Sequence, residues 1–138
     1  MDIKQINTQL SVAGQISIGD LPAIAKLGFK SIVCNRPDGE SSDQLSFGEI
    51  EREANRLGLQ TRYLPAESGK VTADLGQAFG ALMDELPQPM LAYCRSGLRS
   101  STLWALARSP KEPLPQIYAT VAQAGYDVES AVQRALEG

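Results

Sequence analysis

A chain of 138 residues, 43% of them hydrophobic and 21% charged, fits one folding domain spanning residues 1–138. A net charge of −3 offers no broad basic surface for nucleic acid, and no apolar run approaches the ~18 residues that suggest a membrane span. The absence of histidine removes the commonest general base and the commonest transition-metal ligand together.

Only two cysteines occur, Cys34 and Cys94, and they lie too far apart in sequence to read as a zinc site. The start of the chain lacks a charged-then-apolar secretory pattern, so a reducing, cytoplasmic location is expected. Neither a metal nor a cofactor is called for. The expected partner is a small anion, and oligomeric state is not legible.

The first helix is expected from Asp20 to Leu27, with Leu21, Ile24, Ala25 and Leu27 at helical spacing. Gly28 then supplies a left-handed cap before a strand over Phe29–Cys34. The same unit repeats from Ser46 to Leu57, where Ser46 and Glu49 have the spacing of a capping box, followed by Gly58 and a strand over Gln60–Leu64. A third helix starts at Thr72, carries Leu75, Phe79, Leu82 and Leu86 on one face, and is stopped by Pro87 and Pro89. Met90–Tyr93 reads as a short buried strand and Arg99–Arg108 as a helix burying Leu103, Trp104 and Ala107. Two more helices follow, Leu114–Ala124 and Val128–Leu136. Alternating strands and helices predict an α/β fold, a central and mostly parallel sheet covered on both faces, with ligands bound beyond the carboxyl ends of its strands.

Cys94-Arg95-Ser96-Gly97-Leu98-Arg99-Ser100 lies between the last strand and the next helix, and each part of it has a task. A helix N-terminus leaves N–H groups unpaired and carries partial positive charge, which favours an anion and the thiolate form of Cys94. Gly97 lets successive N–H groups converge, with Arg95, Ser96, Leu98 and Ser100 completing the ring. Arg99 can add two parallel hydrogen bonds, and Ser100 is placed to stabilise the sulfur as a leaving group. Two arginines, a glycine and two serines in so short a loop suit an oxyanion better than they suit a core.

This loop, together with Asn35-Arg36-Pro37-Asp38-Gly39-Glu40 and Leu64-Pro65 after the two preceding strands, resembles the beta-lactamase-hydrolase-like phosphatase-like family. The resemblance spans roughly residues 3 to 110. That family is related to the dual-specificity and tyrosine phosphatases, and the resemblance implies their fold, a sheet of about four or five strands with the catalytic loop at its edge. It also implies that Cys94 is the nucleophile and that Arg99 binds the oxyanion.

Three features depart from the phosphatase pattern. Phosphatase loops typically separate the cysteine and arginine by five residues, whereas four separate Cys94 from Arg99, as in the loop of rhodaneses, where the cysteine carries a persulfide. The histidine that commonly precedes the cysteine is Tyr93. A phosphatase also needs a general acid, and the loop after the strand ending at Leu64 offers Glu67, with Asp38 in a Pro-Asp-Gly turn as the alternative.

Asp74 reads more simply as a favourable charge in the first turn of a helix. Arg36 either extends the anion site, orients Asp38, or is solvated. Cys34 reads as a core residue, with a resolving thiol as the alternative. Trp104 and Tyr63 read as core, Tyr63 alternatively as a pocket wall. Phosphate-ester hydrolysis, sulfane-sulfur transfer through a Cys94 persulfide, and non-catalytic anion binding are the three readings that result.

Overall fold

The apolar runs of the sequence become the buried strands of a sheet. The computed structural model describes residues 1–138, and it orders five strands β1-β2-β5-β3-β4. These are β1 (Ile3–Gln5), β2 (Leu10–Ala13), β3 (Ser31–Cys34), β4 (Gln60–Tyr63) and β5 (Met90–Tyr93). All neighbouring pairs are parallel except β1–β2. The expected α/β class and mostly parallel sheet are what the structure contains, and the edge that carries the loop is the carboxyl edge, since the loop follows the middle strand, β5. No helix is long and apolar enough to cross a membrane.

β2, β3 and β5 are buried along their whole length because helices cover both faces. Alternation sends Ala13, Ile32, Cys34, Leu91 and Tyr93 toward α1 (Leu21–Lys26) and α2 (Phe47–Arg56). Leu10, Val12, Val33, Met90 and Ala92 face the opposite layer of α3 (Ala73–Glu85), α4 (Leu98–Arg108), α5 (Leu114–Gln123) and α6 (Glu129–Glu137). A large apolar side chain withdrawn from water in either layer contributes about 1.5–3 kcal/mol before its entropy loss is counted.

The sequence pattern assigned no element before Asp20, so β1 and β2 are additions. β2 matters most, because it pairs with β5 from Leu10↔Met90 to Ala13↔Tyr93 while β3 pairs with the other side of β5. Three loops therefore leave the same end of adjacent strands. They begin at Gly14, Asn35 and Cys94.

α3 and α4 approach closely at Gly76. A Cβ there would collide with Leu106 Cβ, an atom close to the α4 backbone that cannot swing away. Gly76→Val should therefore destabilise the protein by about 1–3 kcal/mol through overpacking, measured as a lower urea midpoint with the slope unchanged.

Candidate functional site

The three long helices that start at the carboxyl side of the sheet are capped differently. Ser46 caps α2 by accepting from Glu49 N at 3.2 Å while the Glu49 carboxylate accepts from Ser46 N, the capping box that the spacing predicted. Thr72 caps α3 through Leu75 N at 3.2 Å. α4 has no side-chain cap; its N-cap is Gly97 in the left-handed region, φ +97°.

The consequence is a set of free donors. Gly97 N–H donates to Cys94 Sγ at 3.1 Å, and Leu98 N–H to Ser96 Oγ at 3.3 Å. The N–H groups of Arg95, Ser96, Arg99 and Ser100 have no acceptor within the protein. Unpaired amides around a left-handed glycine, at the positive end of a helix, make a concavity suited to an oxyanion. Cys94 is buried beneath it.

Arg99 is 8% exposed, yet every hydrogen bond it makes lies on one side of its guanidinium. Nη1 donates to Glu40 Oε2 at 2.6 Å and to Ala66 O at 2.9 Å, and Nη2 donates to Glu40 Oε1 at 2.9 Å. A guanidinium carries five N–H donors. The Nε–H and the second Nη2–H, adjacent and parallel, remain free as a fork for a tetrahedral anion. Glu40 therefore holds this arginine in one orientation and leaves its Nε edge open.

Glu40 is itself held by Arg36, whose Nε donates to Glu40 Oε1 at 3.1 Å. Arg36 is neither solvated nor directed at Asp38: it is 5% exposed, and it also donates to Gln15 Oε1 at 3.0 Å and Ser41 Oγ at 3.3 Å. Arg99, then Arg36, pull the Glu40 carboxyl below its ordinary value, and Glu40 in turn raises the Arg99 pKa, keeping the guanidinium charged. Glu40, Gln15 and Asn35 escaped the sequence reading, although Asn35 and Glu40 sit within its quoted motif.

The remaining expectations are placed as follows. Ser100 Oγ donates to Asn35 Oδ1 at 2.8 Å rather than to the sulfur, and Asn35 Nδ2 donates to Leu64 O at 2.9 Å, tying α4 to the β3 and β4 loops. Asp38 Oδ1 accepts from Phe47 N at 2.8 Å, which makes it a brace for the start of α2. Glu67 is exposed and paired with Lys70 at 3.4 Å. Arg95 has an exposed side chain, while its carbonyl accepts from Gln15 N at 3.2 Å.

Cys34 lies in the layer facing α1 and α2, and burial pushes its thiol up to about 11. α4, whose N-terminus meets Cys94, covers the other face, so Cys34 behaves as the core residue expected. Tyr93 points into the same layer as Cys34 and away from the loop. Tyr63 is half-exposed and stacks on Phe47 with ring centroids 5.0 Å apart; Trp104 is core.

A cleft of about 610 Å³ opens beside the loop. Leu98, Arg99 and Thr102 of α4 form one wall, Ser68–Asp74 a second, and Ala131, Arg134 and Ala135 of α6 a third. Asp74 is thus the carboxylate lining the same cleft as Arg99, whereas Glu67 and Asp38 do not line it. Tyr126, between α5 and α6, donates its hydroxyl hydrogen to Ser96 O at 3.0 Å and occupies the space a side chain at position 97 would need.

Comparison with known proteins agrees with this architecture. The family model described as beta-lactamase hydrolase-like protein, phosphatase-like domain, matches residues 2–110. A beta-lactamase hydrolase-like protein of Agrobacterium fabrum (strain C58 / ATCC 33970) is 34% identical over 109 residues, 79% of this chain and 25% of that protein. The chain spans about a quarter of the length of the curated relatives it matches. The crystal structure of a proposed phosphatase from Neisseria meningitidis Z2491 superposes with a TM-score of 0.87 at 31% identity, covering 98% of this chain and 96% of that one. Tk-PTP in its active form shares the fold, with a TM-score of 0.75 at 17% identity over 99% and 94% of the two chains.

Removing Glu40 tests the aiming of Arg99. Glu40→Gln should cost about 1.5–3 kcal/mol, the range for a hydrogen bond to a charged group. Because folding lowers the Glu40 pKa, the pair's contribution is complete above the ordinary value of 4.5 and is lost as pH falls through the lowered one. Thermal unfolding from pH 7 to pH 3 should show the wild-type and variant midpoints converging only below about 4.5.

Proposed function

We propose that this chain, which belongs to the family of beta-lactamase hydrolase-like protein phosphatase-like domains, is a phosphatase-type enzyme that hydrolyses a phosphate monoester with Cys94 as nucleophile. One observation carries the reading: the open fork of Arg99 stands beside a loop whose amides have no other acceptor, with Cys94 Sγ inside that loop.

Cys94 thiolate attacks phosphorus, forming the S–P bond as the P–O bond to the leaving group breaks. Arg99 and the free amides of Arg95, Ser96, Arg99 and Ser100 receive the equatorial oxygens. Asp74, in the cleft, gives its proton to the departing oxygen and then takes one from the water that cleaves the S–P bond, restoring the thiolate. Asp74 is preferred to Glu67 and Asp38, the acids expected from sequence, because neither of those lines the cleft: Glu67 pairs with Lys70 and Asp38 accepts from Phe47 N.

A second reading, sulfane-sulfur transfer, is favoured by the four-residue spacing between Cys94 and Arg99, a tighter ring than phosphatases use. Cys94 would attack the outer sulfur of thiosulfate, forming an S–S bond and releasing sulfite, and the outer sulfur would then pass to cyanide or a thiol. No general acid is needed.

Phenyl phosphate turnover should disappear in Cys94→Ser. Asp74→Asn should lower kcat by about 10²–10⁴-fold, and less with p-nitrophenyl phosphate, whose leaving group needs little protonation. Equal losses on both substrates would remove Asp74 from the acid role. Thiocyanate formation from thiosulfate and cyanide, without phosphate release, would replace the first reading by the second.

A further inference from the structure

The family match ends at residue 110, but the cleft does not. Its third wall is α6, and that wall has a distinctive composition. Ala131, Arg134 and Ala135 share one helical face by their i, i+3, i+4 spacing. The two alanines leave the volume open, and Arg134 is the only long side chain that α6 sends into it.

Arg134 takes part in none of the ion pairs of the protein. On the wall formed by Ser68–Asp74, Lys70 has only Glu67, at 3.4 Å with both side chains largely in water. A pair so exposed is weak, so Lys70 is readily recruited by a better-placed anion. Arg99 already shares its charge with Glu40. Against these cations the cleft sets one acid, Asp74. The hydrogen bond from Tyr126 to Ser96 fixes the approach to α6 against the loop, so Arg134 is carried at a defined place relative to Arg99.

We propose that Lys70 and Arg134 form a second anion subsite across the cleft from the Cys94 loop, and that the substrate is a small phosphate monoester bearing a second phosphate group. The cleft volume of about 610 Å³ suits a ligand of that size. An arginine fork and a lysine ammonium are complementary to phosphate oxygens. This deepens the hydrolytic reading of the same site and rests on it for the identity of the reacting group.

The test separates the two claims. Titration calorimetry on the full chain carrying Cys94→Ser compares glucose 1-phosphate with glucose 1,6-bisphosphate, and the bisphosphate should bind about tenfold more tightly or better. Adding Lys70→Ala and Arg134→Ala should bring that ratio close to one, with the unfolding midpoint as the control for folding, while Lys70→Arg with Arg134→Lys should keep most of it. A ratio near one before the alanines are introduced, a ratio that survives them, or no binding of either compound overturns the subsite. Failure of the wild-type protein to release phosphate from phenyl phosphate overturns the hydrolytic reading and leaves the ratio to decide the subsite.

Discussion

Arg99 is a charge placed where water barely reaches, and Glu40 makes that placement tolerable. An unpaired guanidinium at such a depth would lose most of its hydration, a cost of several kcal/mol. End-on contact with a carboxylate, and a further bond to Ala66 O, replace that hydration on one side only. The other side keeps its donors for a ligand. Arg36 repeats the arrangement one step back, gripping Glu40 while Gln15 and Ser41 each accept a further hydrogen. The network joins loops after β2, β3 and β4 to the first turn of α4, so the candidate site is assembled from four places in the chain.

That assembly depends on strand order. β5 lies between β2 and β3, and the three loops that leave their carboxyl ends meet without any one of them being long. Gly14 shows how close the approach is, since a Cβ there would sit 2.9 Å from Arg95 O. Asn35, fully buried, uses its amide to fasten Ser100 on one side and the β4 loop on the other. The loop is thus shaped by its neighbours as much as by its own residues.

Local patterns were the legible part. The capping box at Ser46 and Glu49, the glycine stops at Gly28 and Gly58, the periodic face of α3 and the extents of α2, α5 and α6 all appear close to where the sequence placed them. β1 and β2 escaped because strands of three and four residues containing Lys4, Gln5, Ser11 and their turns do not build a recognisable period. In the site, Cys94 and Arg99 stood out because their neighbours in sequence are also their neighbours in space. Glu40 did not, because its partner lies 59 residues away and nothing local distinguishes it from Asp38. Asp38 looked chemical from its turn, and a carboxylate in a turn serves equally well to receive the first N–H of a helix, as Asp38 does from Phe47.

The core beside α4 draws Ile117, Val121, Ala124, Val128, Val132 and Ala135 from the part of the chain beyond residue 110, all of them buried against the sheet or its helices. A fragment cut at that boundary would expose their docking surface on α4 and remove Tyr126 from the loop. The stretch matched by the family model is therefore completed in this protein by a tail that packs onto it, a tail that the superposition on the Neisseria structure, over 98% of the chain, also takes in. Position 97 shows the same dependence in miniature, barred to other residues by its own backbone angle and again by a tyrosine from the tail.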